Sequence, residues 1–229
     1  NNIESSKLFV SLSRNGDWGA PSEITSLNGE YNIKHPHVGE LFGQDVLFFS
    51  SDMLGGAGGY DLYYCTINGD TYGVPTNLGT VINTPKDEIS PYYNNGTLYF
   101  STNGQPTMGG FDIYYVIWNG SSWEELSNIG YNYNSAYDDM FLRFNDSGSS
   151  GFLVSNRPHK EKLKVKGNDA CCDDVFRVFI RELVIDLLVT VNDEKGPLNG
   201  AVVDVSDLTL GSYPESKSNL NTNLFNFPL

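Results

Sequence analysis

The stretch "SSDMLGGAGGYDLYY" (Ser50–Tyr64) returns 51 residues later as "STNGQPTMGGFDIYY" (Ser101–Tyr115). Extended to Leu47–Tyr64 and Leu98–Tyr115, the two copies match at 8 of 18 positions without a gap. The copying continues on both sides. "NGDTYGVPTNLG" (Asn68–Gly79) faces "NGSSWEELSNIG" (Asn119–Gly130), and "DEISPYY" (Asp87–Tyr93) faces "DDMFLRF" (Asp138–Phe144). An earlier copy is "NGDWGAPSEI" (Asn15–Ile24). A later one opens as "GFLVSNRP" (Gly151–Pro158) and resumes as "DDVFRVF" (Asp173–Phe179). A fixed period near 50 residues signals a solenoid, a propeller or an array.

Each period reads as four strands: "ISPYY", then "TLYFST" entered through Asn94–Gly96, then "FDIYYVIW", then the stretch around "SWEELSNI". Asn-Gly between apolar runs signals a hairpin whose two central residues take positive φ. It recurs at Asn15-Gly16, Asn68-Gly69 and Asn119-Gly120, each time between the third and fourth strands. Four antiparallel strands per repeat predict an all-β fold, a β-propeller of four-stranded blades with a period of about 51 residues. A blade cannot bury both faces alone. In "FDIYY", Phe111, Ile113 and Tyr115 point one way and Asp112 and Tyr114 the other, so both faces carry a ring. The glycines Gly55, Gly56, Gly58 and Gly59, and again Gly109 and Gly110, fall between the second and third strands, where a tight turn excludes a Cβ. As a phosphate cradle, "GGAGG" lacks the lysine and the following helix.

Composition supports short strands and tight turns: 24 Gly, 14 Tyr and 13 Phe, and no long segment with apolar residues at helical spacing. Net charge is −14, and residues 1–142 hold 16 Asp/Glu against 4 Lys/Arg, which argues against nucleic-acid binding. Such a charge confers solubility or attracts cations and basic partners. The longest apolar run, "LVIDLLVTV", is interrupted by Asp186 and too short to cross a bilayer. The chain begins with Asn and shows no secretory signal, so it reads as mature or partial.

Asp61, Asp112 and Asp174 recur just after the glycine loop, where an aspartate accepts hydrogen bonds from loop N–H groups. Calcium coordination is the alternative role. The pairs Asp87/Glu88 and Asp138/Asp139 open the first strand and are candidates for an acidic rim holding a cation or a basic ligand. The blade before them departs from this pattern, with "HPHVG" (His35–Gly39) and no acidic pair. "PHKEKLKVKGNDACC" (Pro158–Cys172) lengthens the glycine-loop position by eight residues. Its alternating Lys160, Lys162, Lys164 and Lys166 form a solvated hairpin or a docking point for an acidic surface. Three cysteines are too few for a disulfide scaffold; Cys171 and Cys172 are an incidental pair, a strained disulfide or two thiolates for a metal that nothing else completes.

A catalytic set does not emerge. Propeller glycosidases place carboxylates and often arginines around the channel, yet Arg14, Arg143, Arg157, Arg177 and Arg181 do not follow the period. "NDSGSS" (Asn145–Ser150) reads as a hairpin turn. His35, His37 and His159 have no nucleophile elbow nearby. Trp18, Tyr72 and Trp123 are equivalent, and serve either packing or the binding of a carbohydrate or peptide.

The phrases "LYFST…GGFDIYY…NIG" and "DEISPYY" resemble the TolB-type propeller repeat. They look most like its variant in OmpA-family envelope proteins of the Bacteroidota, including PorE-like components of the type 9 secretion machinery. "CCDDVFRV" (Cys171–Val178) resembles the closing strand of that propeller. "VTVNDEKGPLNGAVVDVSDLTLG" (Val189–Gly211) and "FNFPL" (Phe225–Leu229) are similar to a carboxypeptidase-regulatory-like module. The resemblance implies blades over residues 1–182 and the start of a truncated β-sandwich over 183–229. The strand count gives roughly three and a half blades, so the N-terminal blades are expected to be missing. It further implies a non-enzymatic scaffold at the periplasmic side of the outer membrane. Outer-membrane or periplasmic proteins would be its partners, and peptidoglycan would be reached only through a domain outside this chain. No cofactor is expected, calcium being the one candidate.

Overall fold

The computed structural model describes residues 5–158, 173–180, 186–206 and 215–228. The chain divides into two compact units, Asn1–Ile180 and Arg181–Leu229. All the described regular structure is β, and no helix is long and apolar enough to cross a membrane.

The first unit is a succession of antiparallel sheets. Repeat I has β1 (Phe9–Val10), the hairpin β2 (Ser13–Arg14) and β3 (Asp17–Trp18), and β4 (Ser22–Glu23), with β1 paired to β4. Repeat II has β5 (Ile33–Leu41), β6 (Gln44–Ser51), β7 (Asp61–Asn68), β8 (Thr71–Tyr72) and β9 (Thr76–Asn77), the last two both on β7. Repeat III runs β10 (Glu88–Asn94), β11 (Thr97–Thr102), β12 (Asp112–Ile117), β13 (Ser127–Asn128), in that spatial order. Repeat IV has β14 (Asp139–Phe144), β15 (Ser150–Ser155) and β16 (Asp174–Phe179). Among the described residues β1 has no partner on the edge where β7, β12 and β16 carry β6, β11 and β15.

The register fixes the equivalences. Ser51 opposes Asp61, Thr102 opposes Asp112 and Ser155 opposes Asp174. Nineteen positions separate the last pair against ten in the others, so the insertion is nine residues, one more than the sequence alignment suggested.

Strand periodicity places alternate residues against alternate neighbours. On β6, Val46 and Phe48 join a core with Leu98, Phe100 and Val116 of repeat III. Leu47 and Phe49 join Leu8, Ile24 and Leu27 of repeat I. Ile113 of β12 packs with Leu142 and Leu153 of repeat IV, while Tyr114 and Val116 face back to repeat II. Each fully buried Phe or Leu is worth about 2–3 kcal/mol of removal from water. No sheet reaches that by itself.

The turns divide into two kinds. Asn15-Gly16 and Asn95-Gly96 take positive φ at both residues. At Asn68-Gly69 and Asn119-Gly120 only the glycine does, and Asn119 instead accepts bonds from the N–H groups of Ser121 and Ser122 (both 3.0 Å). The β5–β6 hairpin turns on Phe42-Gly43, both left-handed (φ 58° and 70°), a pair that carries no turn signature in sequence.

In the second unit β17 (Asp186–Thr190) pairs with a strand at Leu224–Pro228, and two antiparallel strand pairs lie between them in sequence. One joins β18 (Asn192–Asp193) to β19 (Gly196–Pro197), and the other joins β20 (Val202–Val205) to β21 (Glu215–Ser218). Phe225 and Phe227 of the Leu224–Pro228 strand, β22, are buried.

Candidate functional site

In repeats II and III the third strand opens on a buried aspartate. Asp61 accepts bonds from the Ala57 and Gly58 N–H groups (2.5 and 3.1 Å) and from Asn77 Nδ2 (2.9 Å). Asp112 accepts from Met108 and Gly109 N–H (2.8 and 3.3 Å) and from Asn128 Nδ2 (3.3 Å). The asparagine passes the chain of bonds on: Asn77 Oδ1 accepts from Asn83 Nδ2, and Asn128 Oδ1 from Asn134 Nδ2, both at 2.9 Å. Asn83 closes two bonds on the Leu62 backbone (2.8 and 3.0 Å), as Asn134 does on Ile113 (2.7 and 2.9 Å). An Asp–Asn–Asn relay thus ties the third strand, the fourth strand and the chain leaving it. Asn77/Asn128 and Asn83/Asn134 recur at the same period as the aspartates. Sequence reasoning passed over them because an Asn in a polar loop reads as generic turn chemistry.

The acidic pairs make the next joint. Asp87 Oδ1 accepts from Tyr60 N–H, and Asp138 Oδ1 from Phe111 N–H, both at 2.9 Å, clamping the loop of one repeat to the first strand of the next. Glu88 is fully buried and accepts from Thr84 N–H (2.9 Å), Thr84 Oγ1 (2.7 Å) and Thr102 Oγ1 (2.8 Å). Burial pushes its carboxyl above the usual range despite those bonds. Asp139, also fully buried, accepts from Ser135 N–H (2.6 Å) and Oγ (2.8 Å) and pairs with the Arg157 guanidinium. Among the described residues no three His, Cys, Asp or Glu side chains group as metal ligands.

The glycine pairs serve the same joint. Gly58, Gly59, Gly109 and Gly110 do not take positive φ; only Gly55 of that loop does. A Cβ on Gly58 would run into the Thr84 carbonyl, and one on Gly109 into that of Tyr137. Close approach of the next repeat, rather than a left-handed turn, demands these glycines.

Between repeats I and II the same positions carry other chemistry. Lys7 stands where Asp61 and Asp112 do, and Glu23 where Asn77 and Asn128 do; the two form an ion pair at 2.9 Å. Asn28 donates to Glu23 (3.3 Å) and closes on the Leu8 backbone (2.8 and 2.9 Å). Asn32 replaces Asp87 and accepts from Ser6 N–H (2.8 Å), while Asp52 replaces Asn103 and receives both N–H donors of Asn32 (2.6 and 2.8 Å). Ile33 replaces Glu88, and Gly29 replaces Thr84. The acid and the Thr84 hydroxyl are absent together, while Ser51 keeps a hydroxyl where Thr102 stands.

Of the first strands, β10 packs against both β5 and β14. Each has a register shift, between Lys34/His37, Ile89/Tyr92 and Met140/Arg143. Within each shift one residue is left-handed: His35 (φ 55°), Ser90 (51°) and Phe141 (54°). Ser90 N–H donates to His35 Nδ1 (3.2 Å), Phe141 N–H donates to Ser90 Oγ (3.3 Å), and the His35 ring meets Phe141 edge-on at 4.8 Å. Ser90 Oγ is bonded to Ser101 Oγ (3.0 Å), so Ser90 and His35 are not a nucleophile–base pair. Two positions on lie His37, Tyr92 and Arg143. The Tyr92 ring contacts His37 at 5.1 Å and lies under the Arg143 guanidinium at 4.9 Å. Arg143 donates to the Leu142 and Pro91 carbonyls (2.7 and 2.9 Å). Burial, with the Lys34 and Arg143 charges, holds the His35 imidazole down at about 4. Burial also lowers His37, against the bond its Nε2 makes to the Tyr93 carbonyl (3.0 Å).

Tyr72 and Trp123 pack onto the cores, Trp123 against Trp118 (5.2 Å). Trp18 opposes Ser13 instead of a large side chain and is 74% exposed, beside a groove of about 400 Å³ lined by Val10, Leu12, Arg14 and Asp17. Cys65 is buried, which pushes its thiol up to about 11. Asp174 is exposed. His159, Lys160, Lys162, Lys164, Lys166, Cys171 and Cys172 lie outside the described residues. No protein-family model and no curated protein matches this chain.

Proposed function

We propose that the sheets of the first unit are successive blades of a β-propeller, and that the chain is a non-enzymatic scaffold presenting surface to protein partners. One observation carries this reading. The side chains that recur with the period, Asp61/Asp112, Asn77/Asn128, Asn83/Asn134, Asp87/Asp138 and Glu88/Asp139, are bonded across strands and across neighbouring repeats. A repeat conserved for chemistry would aim such groups at a common cavity; this one aims them into its own joints. The sequence resemblance to OmpA-family, PorE-like proteins of the type 9 secretion machinery supports a periplasmic, outer-membrane-associated setting. Outer-membrane or periplasmic proteins would then be the partners. Affinity capture of the intact protein from native envelopes tests this: an outer-membrane protein is expected at stoichiometric amounts. Glycan or peptide turnover abolished by Asp138→Ala or Glu88→Ala in folded protein would contradict it.

A second reading has its own support. Trp18 stands exposed over the repeat I groove with Arg14 and Asp17, an arrangement that suits a short peptide or a glycan ring. Quenching of Trp18 emission by such ligands, lost in Trp18→Ala, is the test.

A further inference from the structure

We propose that the place where the bulges of β5, β10 and β14 meet binds an oxyanion-bearing small ligand, a carboxylate or a phosphate, held by Arg143 and the His35 imidazole. The first ground is uncompensated charge. Arg143 is half-buried, and it donates to two backbone carbonyls, with no ion pair to a described carboxylate. Lys7 and Arg157 are each paired to an acid, and Arg14, Lys86, Arg177 and Lys195, unpaired among the described residues, are exposed, whereas burial takes water from the Arg143 guanidinium. Removing a guanidinium from water without a counter-charge is costly, and an anion offsets that cost. A guanidinium has five N–H donors in a fixed fork; two bonds to carbonyls leave three for a ligand.

The second ground is tautomer chemistry. Because a backbone N–H donates to His35 Nδ1, the neutral ring carries its proton on Nε2. That donor has no protein partner among the described residues. The Tyr93 carbonyl accepts from His37 Nε2, which leaves His37 Nδ1 an acceptor with no partner among the described residues. The bulge region therefore offers a guanidinium over the Tyr92 ring, one imidazole donor and one imidazole acceptor, with the His35 ring against Phe141 and the His37 ring against Tyr92. An oxyanion carrying a hydroxyl or a protonated oxygen satisfies all three.

The third ground is backbone strain. Three side chains at the same bulge position of successive repeats are left-handed, a conformation that costs non-glycine residues about 1–2 kcal/mol each. Such outliers cluster where a site needs its groups aimed. None of this depends on the scaffold reading, because the repeat joints and the bulges use different residues.

The test is NMR observation of the Arg143 Nε–H and the His35 and His37 ring nitrogens while the full chain is titrated with inorganic phosphate or, in a second arm, citrate, at constant ionic strength. Saturable shifts centred on β5, β10 and β14, half-complete at about 1 mM or below, are expected in at least one arm. The arm that responds tells phosphate from carboxylate. Arg143→Gln should weaken binding at least about tenfold, and Arg143→Lys less, since it keeps the charge but loses the fork. Localisation of the shifts in the unaltered protein needs no variant, so misfolding of Arg143→Gln leaves the test intact. Absence of a saturable response in both arms, shifts spread over surface lysines, or equal affinity in a folded Arg143→Gln would overturn the site.

Discussion

The joint between repeats I and II and the joints on either side of repeat III solve one problem with different residues. Asp61–Asn77–Asn83 and Asp112–Asn128–Asn134 are buried relays. Lys7–Glu23–Asn28 holds the same backbone atoms through an ion pair between side chains that are 40% and 34% exposed. Asp87 with Asn103 becomes Asn32 with Asp52, acid and amide exchanged across the pair. What persists is the bond to the backbone of the third strand and the clamp on the preceding loop. The chemistry that makes them is replaceable, provided that both partners change together.

The largest effect should come from breaking a buried relay. Asp112→Ala leaves the Met108 and Gly109 N–H groups and Asn128 without an acceptor and should destabilise by about 3 kcal/mol in denaturant unfolding. The exchanged pair comes next. Asn32→Asp sets two carboxylates together and should cost about 1–2 kcal/mol. Adding Asp52→Asn recreates the Asp87/Asn103 arrangement and should restore most of it, a coupling that a double-mutant cycle reads directly. Lys7→Ala, by contrast, removes a partly exposed ion pair and should cost under about 1 kcal/mol.

The joints should also differ in their response to pH. Glu88 has a folded value raised above 4.5, so the native state holds its proton more tightly than the unfolded chain. Its contribution is fully present below 4.5 and is lost as pH rises through the raised value. Glu88→Gln should flatten that slope, and the Ile33/Gly29 joint has no counterpart to it. His35 acts in the opposite sense. Its folded value of about 4 lies below 6.5, so stability is present above 6.5 and declines as pH falls towards 4. His35→Asn should remove that acid-side loss in pH-dependent melting.

Much of the sheet pattern was legible because the pleat writes itself with a period of two: Val46/Phe48 and Leu47/Phe49 declare two buried faces before any coordinate is known. The glycine pairs were legible as necessary but not for the operative reason, since the obstacle at Gly58 and Gly109 is another repeat's carbonyl, distant in sequence. The acidic pairs drew attention as carboxylates. Their partners, Tyr60 N–H and Phe111 N–H, are backbone groups that no side-chain motif announces. The repeat I joint was illegible for a sharper reason: Lys7, Glu23 and Asn32 break the identity of the repeat while preserving its bonds. The meeting of the three bulges was illegible because His35, Ser90 and Phe141 share a position but no chemistry, and only the bulge brings them together.

The claim that the 51-residue period encodes a joint holding two sheets at once is tested most directly by native-state hydrogen exchange in Asn134→Ala. Ile113 N–H bonds that side chain, whereas Phe111 N–H and Asp139 N–H sit across the joint, bonded to Asp138 and to the Phe111 carbonyl. The account predicts that all three amides lose protection together. Faster exchange confined to Ile113, with Phe111 and Asp139 unchanged, would contradict it.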